Sequence, residues 1–210
     1  IICSIEPDSK AILQTYLPGN YGADALADIL SGDVNPSGRL PYTYTKYEQG
    51  LITYDHKPGQ NMEGKMEGAY DYGAQTSVQY PFGFGLSYTT FEYSDLVVEN
   101  KKFVSGDTIR ISVDVKNTGT ASGKETVMLF SRDMIATLSP DVRRLRAFEK
   151  ISLNPGEIKT ISLTVPADDL AYVNEKGKWV LEAGEFMLQT GNLTEKIVCK
   201  ENKNWETPNK

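Results

Sequence analysis

A single histidine, His56, and two cysteines, Cys3 and Cys199, leave this 210-residue chain nearly bare of transition-metal ligands. Zinc and similar ions are held by sets of Cys and His at short spacings. One His in a polar stretch offers no such set, so no metal site is expected. Two cysteines at opposite ends also exclude a disulfide scaffold. Ile2 and Ile5 flank Cys3, and Ile197 and Val198 precede Cys199, so both thiols are expected buried in strands. A reactive thiol would instead need an electropositive setting. Basic charge is in deficit, with 22 Lys and Arg against 28 Asp and Glu and a net charge of −6. That excludes broad nucleic-acid binding, which needs clustered cations, and a polybasic membrane surface. No apolar run approaches the ~20 residues that span a bilayer. Residues 1–5 are too short and lack the basic flank of a signal peptide. Either the mature protein carries no such signal, or the chain begins inside a longer one.

What is present suits a folded chain: 40% hydrophobic and 24% charged residues, enough for one large domain or two small ones. The text changes character near residue 95. Before it, short apolar groups are broken by many Gly, Pro and Tyr. Ser9 to Leu17, with Ala11, Ile12, Leu13 and Tyr16, reads as a short helix or helix–strand junction. Pro18-Gly19-Asn20 is a turn. Ala23 to Leu30 reads as a helix with Leu26, Ile29 and Leu30 on one face, closed by Gly32. Asp33 to Arg39 is a tight loop, and Leu40 to Tyr44 an extended segment. Gln60 to Tyr72 has too little apolar surface to offset its ordering entropy, so an exposed loop is expected there.

After residue 95 the period becomes two. Thr108 to Val115 alternates polar and apolar residues without a break, the signature of a half-buried strand. Glu125 to Phe130, Leu145 to Leu153, Lys159 to Val165, Lys178 to Ala183, Glu185 to Thr190 and Glu195 to Cys199 continue the series. Turns stand at Asn117-Thr118-Gly119, Asn154-Pro155-Gly156-Glu157 and Ala183-Gly184. About seven strands at this spacing predict an antiparallel sandwich of immunoglobulin-like architecture. Lys200 to Lys210 is polar and expected to fray.

Three stretches carry more than architecture. The first joins Pro18-Gly19-Asn20-Tyr21-Gly22, Ala25 to Leu30 and Gly32 to Pro41. The second is Tyr80-Pro81-Phe82-Gly83-Phe84-Gly85-Leu86-Ser87-Tyr88-Thr89-Thr90-Phe91. The third combines Asn117-Thr118-Gly119, Gly123-Lys124-Glu125, Leu145, Phe148-Glu149-Lys150, Leu153, Pro155-Gly156-Glu157, Trp179 and Gly184-Glu185-Phe186. In order and spacing they resemble glycoside hydrolase family 3 enzymes of the β-glucosidase type. The resemblance implies an α+β fragment, the end of that family's α/β-sandwich domain with a loop-rich linker, over residues 1–94. A fibronectin type III-like antiparallel sandwich follows over 95–199, and then the tail 200–210.

Read as residues, these motifs are first structural. Arg39 has two local options, pairing with Asp33 or capping carbonyls at the helix end. The aromatic run Tyr80 to Tyr88 suits either a sugar platform or backbone packed closely on the preceding domain. Trp179, with Tyr172 the other aromatic candidate of the sandwich, is either a core anchor or an exposed stacking platform. Glycoside hydrolysis needs two carboxyl groups about 5–5.5 Å apart in retaining enzymes. Asp24, Asp28, Asp33, Asp55, Glu63, Glu67 and Asp71 form no local pair and read as solvated charges.

The resemblance implies that the nucleophilic Asp belongs to an upstream barrel. It places the acid/base Glu further before the Pro-Gly turn than this chain extends, and Glu6 is too near that turn. No catalytic residue is therefore carried over, and no cofactor is implied. The whole enzyme is expected to release a sugar from the end of a β-linked oligosaccharide or glycoside, with the barrel as partner domain and no nucleic acid or membrane involved. This segment is expected to be structural and inactive. The substrate class points to the periplasm or the cell exterior. A rival reading is a non-catalytic carbohydrate-binding or adhesion module. Asn192-Leu193-Thr194 is a glycosylation sequon by pattern.

Overall fold

The computed structural model describes residues 2–48, 50, 52–58 and 78–206. The expected loop over 60–72 lies outside the described residues. The first part is sparse in regular structure: a 3₁₀ turn at Glu6–Asp8, helix α1 at Gly22–Ser31, and a two-stranded ribbon of β1, Tyr44–Thr45, with β2, Val78–Tyr80. Helix α1 ends where expected, because Gly32 adopts φ 88° and its N–H returns to the Ile29 carbonyl. A left-handed residue at this point costs glycine little. The apolar face of α1 stays in the open, with Leu30 71% exposed.

Two expectations for this part fail. Residues 11–16 form neither helix nor strand, and Ile12 and Leu13 are exposed. A helix this short is marginal without a packed face. Cys3 lies half-buried in a turn whose bonds run from the Ile5 and Glu6 N–H groups to the Ile2 carbonyl. Its neighbours have strand propensity, but among the described residues no strand lies beside them.

The second part is the expected antiparallel sandwich. One sheet orders β3 (Phe91–Val98), β5 (Thr108–Asn117) and β8 (Ile158–Pro166). The other orders β4 (Lys102–Phe103), β12 (Leu193–Cys199), β11 (Gly184–Thr190), β6 (Gly123–Asp133) and β7 (Arg144–Leu153). The alternation in β5 does what it predicts. Ile109, Ile111, Val113 and Val115 are buried, while Thr108 and Arg110 face out. Each such side chain contributes about 1.5–3 kcal/mol on burial. From the facing sheet come Val127, Leu129, Leu188 and Ile197, all fully buried. Cys199 is buried at the end of β12, as expected of it. Asn192 of the sequon is exposed in the β11–β12 turn.

β3 begins at Phe91, before the change of character at residue 95, and pairs with β5 from there. A bulge breaks its register between Ser94 and Val97, with Asp95 at φ 52°. The tail also departs from expectation. Lys203–Trp205 form β13, which pairs with β10 (Trp179–Leu181), itself beside β9 (Tyr172–Val173). Trp205 stands opposite Trp179, and both pack half-buried against the core. The apolar area of one indole holds a segment that its polar neighbours alone would leave loose.

Candidate functional site

Two places concentrate polar chemistry. The first is the junction between the α1 end and the sandwich. The Asn35 side chain donates to the Ser122 carbonyl at 2.9 Å and accepts from Ser87 Oγ and the Tyr88 N–H, both at 2.8 Å. Arg39 does not pair with Asp33 and caps no carbonyl of α1. It ion-pairs with Glu125 on β6 and donates to the Gly85 carbonyl. Asp33 instead accepts from Ser31 Oγ. Tyr93 of β3 donates to the other Glu125 oxygen at 2.9 Å. Burial, then the Glu125 charge, push the Tyr93 phenol well up, so it stays a donor.

Close approach explains a glycine here. A Cβ on Gly85 would sit 2.3 Å from the Gly38 carbonyl oxygen. The Gly-aromatic-Gly run is therefore packed backbone, with Phe82 stacked on Tyr54 at 4.4 Å and edge-on to Phe130 of the sandwich. Tyr88 remains half-exposed, its hydroxyl on the Ile29 carbonyl.

The acidic candidates do not assemble. Asp24 and Asp28 are exposed along α1, Asp33 is exposed beyond it, and Asp55 is half-buried. Glu63, Glu67 and Asp71 lie outside the described residues. His56 shares its Nδ1 with the Thr53 carbonyl at 2.8 Å. Among the described residues no group of three His, Cys, Asp or Glu is placed to hold a metal. Nor is any helix there long and apolar enough to cross a membrane.

The second place is a cavity of about 320 Å³ in the sandwich, bounded by the end of β6, the start of β7, the 3₁₀ turn Ala167–Leu170, β9 and β10. Arg146, Arg144, Asp133, Tyr172 and Trp179 are among its lining residues. Burial, opposed by the Ile135 N–H and helped by Glu182, pushes Asp133 up to about 6. Its folded value is thus above its unfolded one. Stability from this group is complete below about pH 4 and is lost as pH rises through about 6. Asp133→Asn should therefore leave the melting temperature unchanged near pH 4 and raise it progressively toward pH 7. A gap between variant and parent that stays constant across that range contradicts the assignment.

A model of the glycosyl hydrolase family 3 C-terminal domain matches residues 2–88, and a fibronectin type III-like domain matches 125–194. The chain is 40% identical over 200 residues to thermostable β-glucosidase B of Acetivibrio thermocellus, covering 91% of this chain and 26% of that one. The chain belongs to glycoside hydrolase family 3. It corresponds to the C-terminal part of the family's chains. The periplasmic β-glucosidase of Salmonella typhimurium is 35% identical over 191 residues, 89% of this chain and 25% of its own. A solved β-glucosidase structure from Erythrobacter marinus superposes with a TM-score of 0.83 at 33% identity, over 93% of this chain and 26% of that one. The chain thus spans about a quarter of the length of the relatives it matches.

Several of these residues carry a sequence signal that their neighbours hide. Glu125 sits between Gly123 and Val127 at the inward phase of β6, and Asn117 at the inward phase of β5. A charge or amide in an apolar phase is rarely buried without partners. Asn117, fully buried, bonds the Ala121 and Leu153 carbonyls and accepts from Thr89 Oγ1. Arg146 of β7 and Asp133 of β6 share only the lining of one cavity, and no local sequence pattern joins them.

Proposed function

We propose that the protein to which this chain belongs hydrolyses terminal β-glycosidic bonds, and that this chain is its non-catalytic C-terminal buttress. The observation that carries the reading is the junction. Arg39 and Asn35 of the family 3 segment are locked onto Glu125 and Ser122 of the sandwich, and Gly85 holds Arg39 from within the segment. Such an arrangement fixes the angle between two bodies and presents no paired carboxyl groups to a substrate. The activity is supported by the names of the related proteins, β-glucosidases of Acetivibrio thermocellus, Salmonella typhimurium and Erythrobacter marinus. A periplasmic or extracellular location is the finer part of the proposal, supported by the periplasmic relative alone.

Residues 1–94 are proposed to need the rest of the enzyme for cover. Leu17, Tyr21 and Leu30 are 98%, 81% and 71% exposed, an apolar surface typical of a severed interface. The test is release of nitrophenol from a panel of aryl β-glycosides. The 210-residue chain should show none, and the same chain joined to its upstream barrel should turn over. Activity that co-purifies with the chain alone, from a host lacking its own β-glycosidases, would refute the division of labour.

A further inference from the structure

The cavity in the sandwich is lined by a cation, Arg146, that feels the charges of Asp169 and Asp141 but forms no ion pair among the described residues. Arg146 donates from Nε to Ser131 Oγ at 2.7 Å and from Nη1 to the Asp169 carbonyl. A guanidinium has five N–H donors, so most of its fork has no acceptor among the described residues. No carboxylate there forms an ion pair with it. Asp141 on the same wall is engaged by Lys57 at 2.6 Å and Arg144 at 3.6 Å. Burial, then the neighbouring Arg144, pull Arg146 down to about 10, which still leaves it charged at neutral pH. A half-buried cation short of partners is costly unless an anion meets it.

Two aromatic residues line the same space. Tyr172 is one of them, its hydroxyl buried beside Glu182 and Thr137. Trp179 is half-buried and lines the wall. Aromatic walls with a few convergent polar groups are the usual make-up of small-molecule sites, and this volume is at their small end.

We infer that the cavity is a ligand site for a sugar acid, separate from the hydrolytic reaction. The carboxylate pairs with the Arg146 fork, whose planar donors match it. The ring face meets Trp179, and ring hydroxyls donate to Asp133. Neither a neutral sugar nor a bare carboxylate satisfies all of these groups. The inference does not depend on the chain's place in a hydrolase, since the groups assigned to the ligand, Asp133, Arg146 and Trp179, all belong to the sandwich.

The test is calorimetric titration of the 210-residue chain with D-glucuronate, D-glucose and acetate, with the Trp179 indole N–H followed by NMR. Glucuronate should bind with a Kd on the order of 1 mM, ordinary for one small polar ligand, and should shift the Trp179 signal. Glucose and acetate should each bind at least about tenfold more weakly. Arg146→Lys, which keeps the charge and loses the fork, should weaken glucuronate by roughly tenfold. Trp179→Phe should weaken it while leaving acetate unchanged, and serves if the Arg146 variant fails to fold. Equal binding of acetate and glucuronate would reduce the site to an anion hole and overturn the inference. So would equal binding of glucose, or no binding of any of the three.

Discussion

Glu125→Ala is expected to lower the unfolding free energy by about 3–5 kcal/mol, the usual cost of breaking a buried ion pair from one side. The Arg39 and Glu125 side chains are only 15% and 10% exposed. Removing the carboxylate leaves the Arg39 guanidinium with the Gly85 carbonyl but no counter-charge, and takes the acceptor from the Tyr93 hydroxyl, in a region largely closed to water. The loss arises mostly from those orphaned groups rather than from the pair's own attraction. The double variant Arg39→Ala, Glu125→Ala should therefore be more stable than the sum of the single changes implies, a coupling that a double-mutant cycle reads directly. Urea unfolding of the four proteins supplies the measurement. A loss below about 1 kcal/mol for Glu125→Ala would place the pair among ordinary solvated surface bridges and remove the junction's claim to rigidity.

Ending the chain at Asn202 should have the next largest effect, about 2–3 kcal/mol. That figure follows from half the ~150–250 Å² of one indole at ~25 cal/mol per Å². Among the described residues of the deleted stretch only Trp205 packs against the core, and Asn202, which accepts the Ala183 N–H at 2.7 Å, is kept. The Lys178–Glu206 pair that is also lost is exposed at both ends and contributes little. Deletion uncovers one edge of β10, so the shortened chain should also associate more readily. A fall in melting temperature of roughly 10 °C is expected for a domain this size. Trp205→Phe should recover much of it. An unchanged melting temperature would mean that the β10–β13 pairing carries no weight.

These two sites show what the sequence displays and what it conceals. β5, β6, β8 and β11 were legible because their side chains alternate between core and water, so burial writes itself into the text at period two. β13 was not, since three residues with one indole carry no period. Helix α1 was legible from its closing Gly32 as much as from its face. Residues 11–16 misled, because an apolar group without a surface to meet has no reason to become helical. The local reading of Arg39 failed for a different reason. Asp33 is six positions away in sequence, but the carboxylate that meets Arg39 belongs to a strand 86 residues downstream. The cavity is hidden in the same way, its lining drawn from β6, β7, β9 and β10.

That separation of Arg39 from Glu125 has a consequence during biosynthesis. At about 5–20 residues per second, roughly 4–17 s pass between the synthesis of one partner and of the other. Throughout that interval the Asp33–Arg39 loop has its turn residues in place but lacks the carboxylate that Arg39 pairs with. Gly85 follows 46 residues after Arg39, and β6 only later. A strand made later thus completes a loop made earlier, and a ribosome that stalls before β6 releases an Arg39 without its counter-charge.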